Sequence, residues 1–226
     1  MTKILFVFTS ANKTLTGAQT GWYLPEAAHP YYVLSPTHAI DFASPAGPNP
    51  EVDEGSVKMF KDDESVKFLT DDKIVKEKFA HAKKLSDVDV NDYSAVFYVG
   101  GHGPVMDLPT DPVNIKLASE FYRAGKITAA VCHGSAALVS VTDSAGKSIF
   151  AGKAFTGFSN TEEELVGKVN QIPFLLEDAI MKQGGIYEKA AEPWAPHVVV
   201  SGNLITGQNP ASAKPLGEAI LQALKA

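Results

Sequence analysis

Short, unbroken apolar runs separated by polar or glycine- and proline-rich stretches set the rhythm of this chain. Residues 4–8, 95–99 and 127–131 each hold five consecutive apolar or small residues, the pattern of strands covered on both faces. Shorter runs at 39–43, 154–158, 186–188, 197–201 and 204–206 predict further strands. Helical signals fall between them. One helix enters near Pro25 and is expected to be interrupted near Pro30. Others are predicted over 113–124, 136–141, 161–168, 173–183 and 209–226, with Gly184 and Gly185 stopping the fourth of these. Residues 44–56 read as proline- and glycine-rich loop. Beyond them, 57–92 is charged, with Ile74, Val75, Phe79, Ala82 and Leu85 spaced as one face of a surface helix. Alternating strand and helix signals predict an α/β fold with a mostly parallel sheet and helices on both faces. A single domain over 1–226 is expected, with 44–92 as an insertion covering the site.

Composition narrows the function. Of the 226 residues 45% are hydrophobic, enough for a core that needs neither disulfide nor metal. A net charge of -6 argues against nucleic acid or an anionic membrane as the main partner. Cys132 is the one cysteine, so an intrachain disulfide is impossible and a reducing compartment fits. The apolar run near the amino terminus is too short for a signal peptide or a membrane span. The chain therefore reads as cytoplasmic, with the nucleus allowed, and as complete from Met1.

Candidate chemistry collects where strands end. Cys132 closes the run 127–131 and precedes a predicted helix, with Gly134 allowing a tight turn. A thiol lifted into a helix amino terminus is expected to be pulled toward thiolate by the free N–H groups there. The N–H of His133, with one from Gly100 or Gly101, would form an oxyanion hole. His133 follows the nucleophile directly, so its side chain is expected to point elsewhere along the turn. It then needs a carboxylate to fix its tautomer, with Glu162, Glu163 and Glu164 as candidates. The bland role of these three acids is to stabilise a helix start. His102, in the glycine loop 100–103, either caps the loop or touches substrate. Glu26 sits in a first helical turn. Carried over the sheet edge, it would be desolvated, hold a proton and share it with the sulfur. Glu26 and His29 have an i, i+3 spacing, but without a matching second pair they make no metal site, and none is expected elsewhere.

Six segments in order, TGWYLPEAAHPY (20–31), DFASPAG (41–47), GGHGPVMD (100–107), AAVCHG (129–134), TGFSNTEE (156–163) and TGQNPASA (206–213), resemble the ThiJ/PfpI superfamily. Within it they are most similar to the heat-shock-31-type branch of glutathione-independent glyoxalases (glyoxalase III). The resemblance implies a flavodoxin-like three-layer sandwich of the class I glutamine amidotransferase type. It makes Cys132 the nucleophile, His133 its partner, Glu26 the acid bonded to the thiol and Glu163 the third member behind the histidine, with Glu162 and Glu164 one position away. The implied reaction turns methylglyoxal or a similar small dicarbonyl and water into lactate through a hemithioacetal, without a cofactor. A holding chaperone for misfolded proteins, a peptidase or deglycase of the same superfamily, an oxidation-sensitive thiol and a homodimer are also allowed. A glutaminase is disfavoured, because the one later histidine, His197, is followed by Val198 and Val199 instead of a His-x-Glu segment.

Overall fold

In the computed structural model, which describes residues 3–225, the apolar runs assemble into a seven-stranded sheet. Met1, where the expectation of a complete chain falls, Thr2, and Ala226, the last residue of the expected closing helix, lie outside the described residues. In chain order the strands are β1 (Lys3–Val7), β2 (Ala39–Ser44), β3 (Lys83–Lys84), β4 (Ala95–Tyr98), β5 (Ile127–Val131), β6 (Ala154–Phe155), β7 (Ile186–Tyr187), β8 (Val198–Ser201) and β9 (Leu204–Gly207). The large sheet runs β3-β2-β1-β4-β5-β9-β8, while β6 and β7 pair with each other. Every neighbouring pair of the large sheet is parallel except β8 with β9.

From β1 the chain builds outward to β2 and β3, then crosses back to β4 on the other side of β1. The crevice over the carboxyl ends of β1 and β4 is thus the switch point at which such sheets receive ligands.

The helices are α1 (Leu24–Leu34), α2 (Glu54–Met59), α3 (Asp63–Val66), α4 (Lys73–Ala80), α5 (Gly103–Asp107), α6 (Pro112–Arg123), α7 (Asn160–Leu165), α8 (Leu176–Met181) and α9 (Ala213–Ala223). They lie on both faces of the sheet. Among them α1 packs on α9, so closely that a Cβ at Gly217 would stand 3.0 Å from the Pro30 Cα. None of the described helices is long and apolar enough to cross a membrane.

One aromatic cluster fixes the wall beside the crevice. Phe6 of β1 meets Phe97 of β4 at 4.8 Å between ring centroids, and Trp22 stacks on Phe79 at 5.1 Å. Such pairs add to plain area burial by roughly 1 kcal/mol each. Trp22 also ties down the proline-rich loop, donating its indole N–H to the Pro50 carbonyl at 2.9 Å and exchanging backbone bonds with Glu51 and Asp53. The loop is thereby laid against the segment that leads into α1.

Several predicted elements are corrected. α1 runs through Pro30 without a break, because the ring is buried against α9 and tertiary packing outweighs the one lost hydrogen bond. Residues 54–59, expected as loop and surface helix, form α2, started by Asp53, whose side chain accepts the Ser56 N–H at 2.9 Å. The amphipathic helix stops at Ala80, since Lys83 and Lys84 pair with β2 as a short edge strand that carries no apolar signal. The run 154–158 is a strand only over Ala154–Phe155, because the Thr156 N–H turns away to the Thr206 hydroxyl at 2.9 Å. After β5 comes a 3-10 helix, Cys132–Leu138, in place of the expected helix over 136–141.

Candidate active site

The site begins with backbone geometry. β5 delivers the chain to Cys132, whose φ of +55° is one of the few left-handed values at a non-glycine residue here. A side chain in that region costs about 1–3 kcal/mol and persists only where its surroundings hold it. They do so here. Gly134 presses the turn onto β4, where a Cβ would come within 2.4 Å of the Tyr98 carbonyl oxygen. The backbone N–H groups of His133 and Gly101 face the sulfur of Cys132, a residue only 4% exposed.

The glycines after β4 act through close approach. A Cβ at Gly100 would stand 2.1 Å from Glu26 Oε2, 2.6 Å from the Val131 carbonyl oxygen and 2.9 Å from the Cys132 Cβ. Gly101, at φ +104°, would meet the Gly21 carbonyl oxygen at 2.4 Å. Of the two glycines Gly101 is the one whose N–H faces the sulfur, and Gly100 leaves the space in which the Glu26 carboxyl lies beside the thiol. Gly100→Ala is expected to drive Glu26 from the sulfur. It should lower stability by roughly 1–3 kcal/mol, the usual range for overpacking, and reduce turnover far more than thermal stability. Denaturation midpoints and steady-state rates on the same preparation check this.

Glu26 sits in the first turn of α1, fully buried, with no hydrogen-bond partner for its carboxyl oxygens except the thiol they address. Burial drives its pKa well above the ordinary value, Cys132 opposes this, and Asp53 and Glu162 reinforce it. Burial thus favours the protonated form of Glu26. The expected pull toward thiolate is opposed here: burial, then the neighbouring Glu26 carboxyl group, push the Cys132 thiol up, against the His133 and Gly101 N–H groups. At this short 3-10 turn the pull of the two N–H groups is smaller than the cost of burial.

His133 stands beside the sulfur. Its Nδ1 stands 3.5 Å from Cys132 Sγ, so the imidazole folds back toward the thiol instead of pointing away. The left-handed turn at Cys132 makes the reversal possible. On its far side His133 Nε2 donates to Glu163 Oε2 at 2.5 Å, which leaves Nδ1 as the acceptor facing sulfur. Phe158 packs on the ring at 4.5 Å. The other carboxylate oxygen, Glu163 Oε1, takes a second imidazole, His102 Nε2, at 2.8 Å. Burial pushes the Glu163 carboxyl up, but the two histidines outweigh it and hold it well below the usual carboxylate range. His102 goes the other way, down to about 4, through burial and then the neighbouring His133.

The three adjoining acids separate cleanly. Glu162 completes a capping box with Ser159 and accepts from Asn209 and Gln208, so it holds the start of α7. Glu164 is exposed. Glu163 alone of the three meets a histidine. His29, spaced from Glu26 as a metal pair would be, lies instead on Asp62 at 3.0 Å.

A cavity of about 350 Å³ opens over the sulfur, and its lining includes Glu26, Gly101, His102 and Cys132. The same wall takes in Tyr23, Asp53, Met59, Phe158, Lys168 and Trp194, most of which no sequence motif marks. Trp194 lies in an irregular segment at φ +67° and reaches the site by packing on Phe158 at 5.7 Å. Tyr23, next to Trp22, was legible only as part of the stretch before Glu26.

A mostly parallel sheet with helices on both faces, and a cysteine in left-handed backbone where its strand β5 ends, defines a protein of the flavodoxin-like α/β class. The chain belongs to the DJ-1/PfpI family, whose model matches residues 24–223. It is 31% identical to "Glyoxalase 3" of Candida albicans, covering 100% of this chain and 99% of that one. It is 32% identical to "Glutathione-independent glyoxalase HSP31" of Saccharomyces cerevisiae, covering 99% and 98%. Among solved structures, the Rapid Encystment Protein 24 KDa of Francisella tularensis superposes with a TM-score of 0.93 at 36% identity over 99% of both chains. Glyoxalase III from Candida albicans superposes with a TM-score of 0.89 at 30% identity over 98% and 97%.

Proposed function

We propose that this chain is a cysteine-dependent, glutathione-independent glyoxalase that converts methylglyoxal and water to lactate, a lyase of the D-lactate dehydratase type acting on small dicarbonyls. The observation that carries the proposal is the fully buried carboxyl of Glu26 beside Cys132, where burial favours its protonated form, with His133 Nδ1 3.5 Å from the same sulfur under one cavity. Acyl transfer alone would use only nucleophile, base and oxyanion hole. A second, proton-bearing acid beside the sulfur suits a reaction that moves hydrogen between adjacent carbons.

In this reading His133 takes the thiol proton as sulfur adds to the aldehyde carbon, while Glu26 gives its own proton to the aldehyde oxygen. The N–H groups of His133 and Gly101 hold that oxygen in the hemithioacetal. Glu26, now a carboxylate, removes the hydrogen from the former aldehyde carbon while His133 gives the thiol proton to the ketone oxygen, forming an enediol; Glu26 then returns its hydrogen to the neighbouring carbon and takes back the proton of the first hydroxyl, which becomes the thioester carbonyl. A lactoyl thioester remains, and water hydrolyses it to lactate and the free thiol. One carbon is oxidised and its neighbour reduced, so no outside redox partner is needed. Glu163 holds the His133 tautomer throughout.

Purified protein incubated with methylglyoxal and no thiol is expected to consume the dicarbonyl and release lactate in equal amounts, read by enzymatic and chromatographic product analysis. Consumption without lactate would reject the reading. Segment 44–92 contributes Asp53, Gly55 and Met59 to the cavity wall, and in this proposal it shields the thioester from bulk water.

A further inference from the structure

His102, His133 and Glu163 come from three separate segments, yet their side-chain donor atoms all lie within 4.8 Å of one another in a buried cluster. Both imidazoles send Nε2 to one carboxylate, at 2.8 Å and 2.5 Å. Two histidines and one carboxylate are the donor set of many zinc sites, with bonds of about 2.0–2.2 Å to the ion. At tetrahedral angles such bonds place the donors roughly 3.3 Å apart. The two contacts need open by less than about 1 Å for an ion to replace the two shared protons. The proposed reaction needs only one of these histidines, and the second imidazole on Glu163 has no part in it.

We propose that His102, His133 and Glu163 form an inhibitory binding site for a divalent transition ion of the zinc class. Imidazole nitrogen selects zinc over magnesium or calcium, which prefer all-oxygen shells. The fourth position faces the cavity, because His102 lines it, and this gives an entry path and room for water. The proton balance is internal. Each neutral imidazole moves its N–H from Nε2 to Nδ1 and gives the Nε2 lone pair to the ion, so no proton need leave. His133 then presents N–H instead of a lone pair to Cys132, and the thiol loses its base. Lys168, on the same cavity wall, opposes cation entry and sets a limit on affinity. The inhibition rests on the proposed reaction, whereas the binding does not.

The test is a titration of chelator-stripped full chain with zinc chloride by calorimetry, repeated with cobalt chloride for its ligand-field absorption. One ion per chain is expected, retained in Cys132→Ala, and weakened at least about 100-fold in His102→Ala and in Glu163→Gln. Long-range proton–nitrogen spectra should show His133 changing from the Nε2–H to the Nδ1–H tautomer. Turnover should fall in step with occupancy, recover with a chelator, and resist zinc in whatever activity His102→Ala retains. Absence of one-to-one binding to the wild type overturns the proposal. So does binding that is lost in Cys132→Ala and kept in His102→Ala, which would place the ion on the sulfur. Should Glu163→Gln fail to fold, the His102→Ala titration and the histidine spectra still decide the matter. Binding at this cluster in a protein that makes no lactate would leave the metal site standing and remove the enzymatic reading.

Discussion

Cys132→Ala is expected to eliminate lactate formation, lowering turnover by at least about 10⁴-fold as removal of a nucleophile does elsewhere. The replacement is a clean one. At φ +55° alanine pays the same left-handed strain that cysteine already bears, so the fold should survive with a small change in melting temperature. Loss of one buried sulfur removes on the order of 1 kcal/mol of packing. Cys132→Gly provides the control in the opposite direction, because glycine adopts this backbone freely. It should also be inactive, yet its turn is no longer strained. If either variant keeps turning over methylglyoxal, covalent catalysis through this residue is wrong. The same alanine variant, placed in an assay of protein aggregation, separates a chaperone activity, which would persist, from the enzymatic one.

How far the chain announces this site depends on which forces place each residue. Strands β1, β4 and β5 were legible because strands covered on both faces are written as unbroken apolar runs, and Cys132 was legible as the residue where one such run ends. The edge strand β3 was not, because two lysines carry no apolar signal and pair only through their backbone. Glu26 could be nominated from its place in a helical turn. Its neutral state could not be read, since that depends on complete burial beside the thiol. The proline rule wrongly broke α1 at Pro30, where contact with α9 decides. The apolar run wrongly extended the strand beyond Phe155, where a side-chain hydroxyl on β9 captures the backbone. Local rules sent the His133 ring away from its neighbour, and only the left-handed φ at Cys132 reverses that. The second role of Glu163, as acceptor for His102, has no trace in the sequence, because the two residues are 61 positions apart.

Glu26→Gln is expected to trade activity for stability, and the two effects should carry different pH signatures. Glutamine keeps the shape of the carboxyl in the space left by Gly100 but cannot pass a proton. Turnover should therefore fall by about 10²–10⁴-fold, the range for loss of a general acid–base group. Stability should move the other way. In the folded chain burial raises the Glu26 pKa well above its ordinary 4.5, whereas in the unfolded chain the group titrates near that value. Above pH 4.5 the unfolded state sheds this proton and the folded state keeps it. Ionisation of the unfolded chain then draws the equilibrium away from the fold, and the glutamate costs stability increasingly as pH rises toward its folded pKa. The glutamine variant escapes that cost. The stability gap in its favour should be small at pH 5 and widen through pH 7 by at most about 1.4 kcal/mol per pH unit. Denaturant unfolding of both proteins across this range measures the gap directly. A gap that stays flat with pH would mean that Glu26 is ionised in the folded state, and the proton assigned to it in the lactate-forming reaction would then have to come from elsewhere.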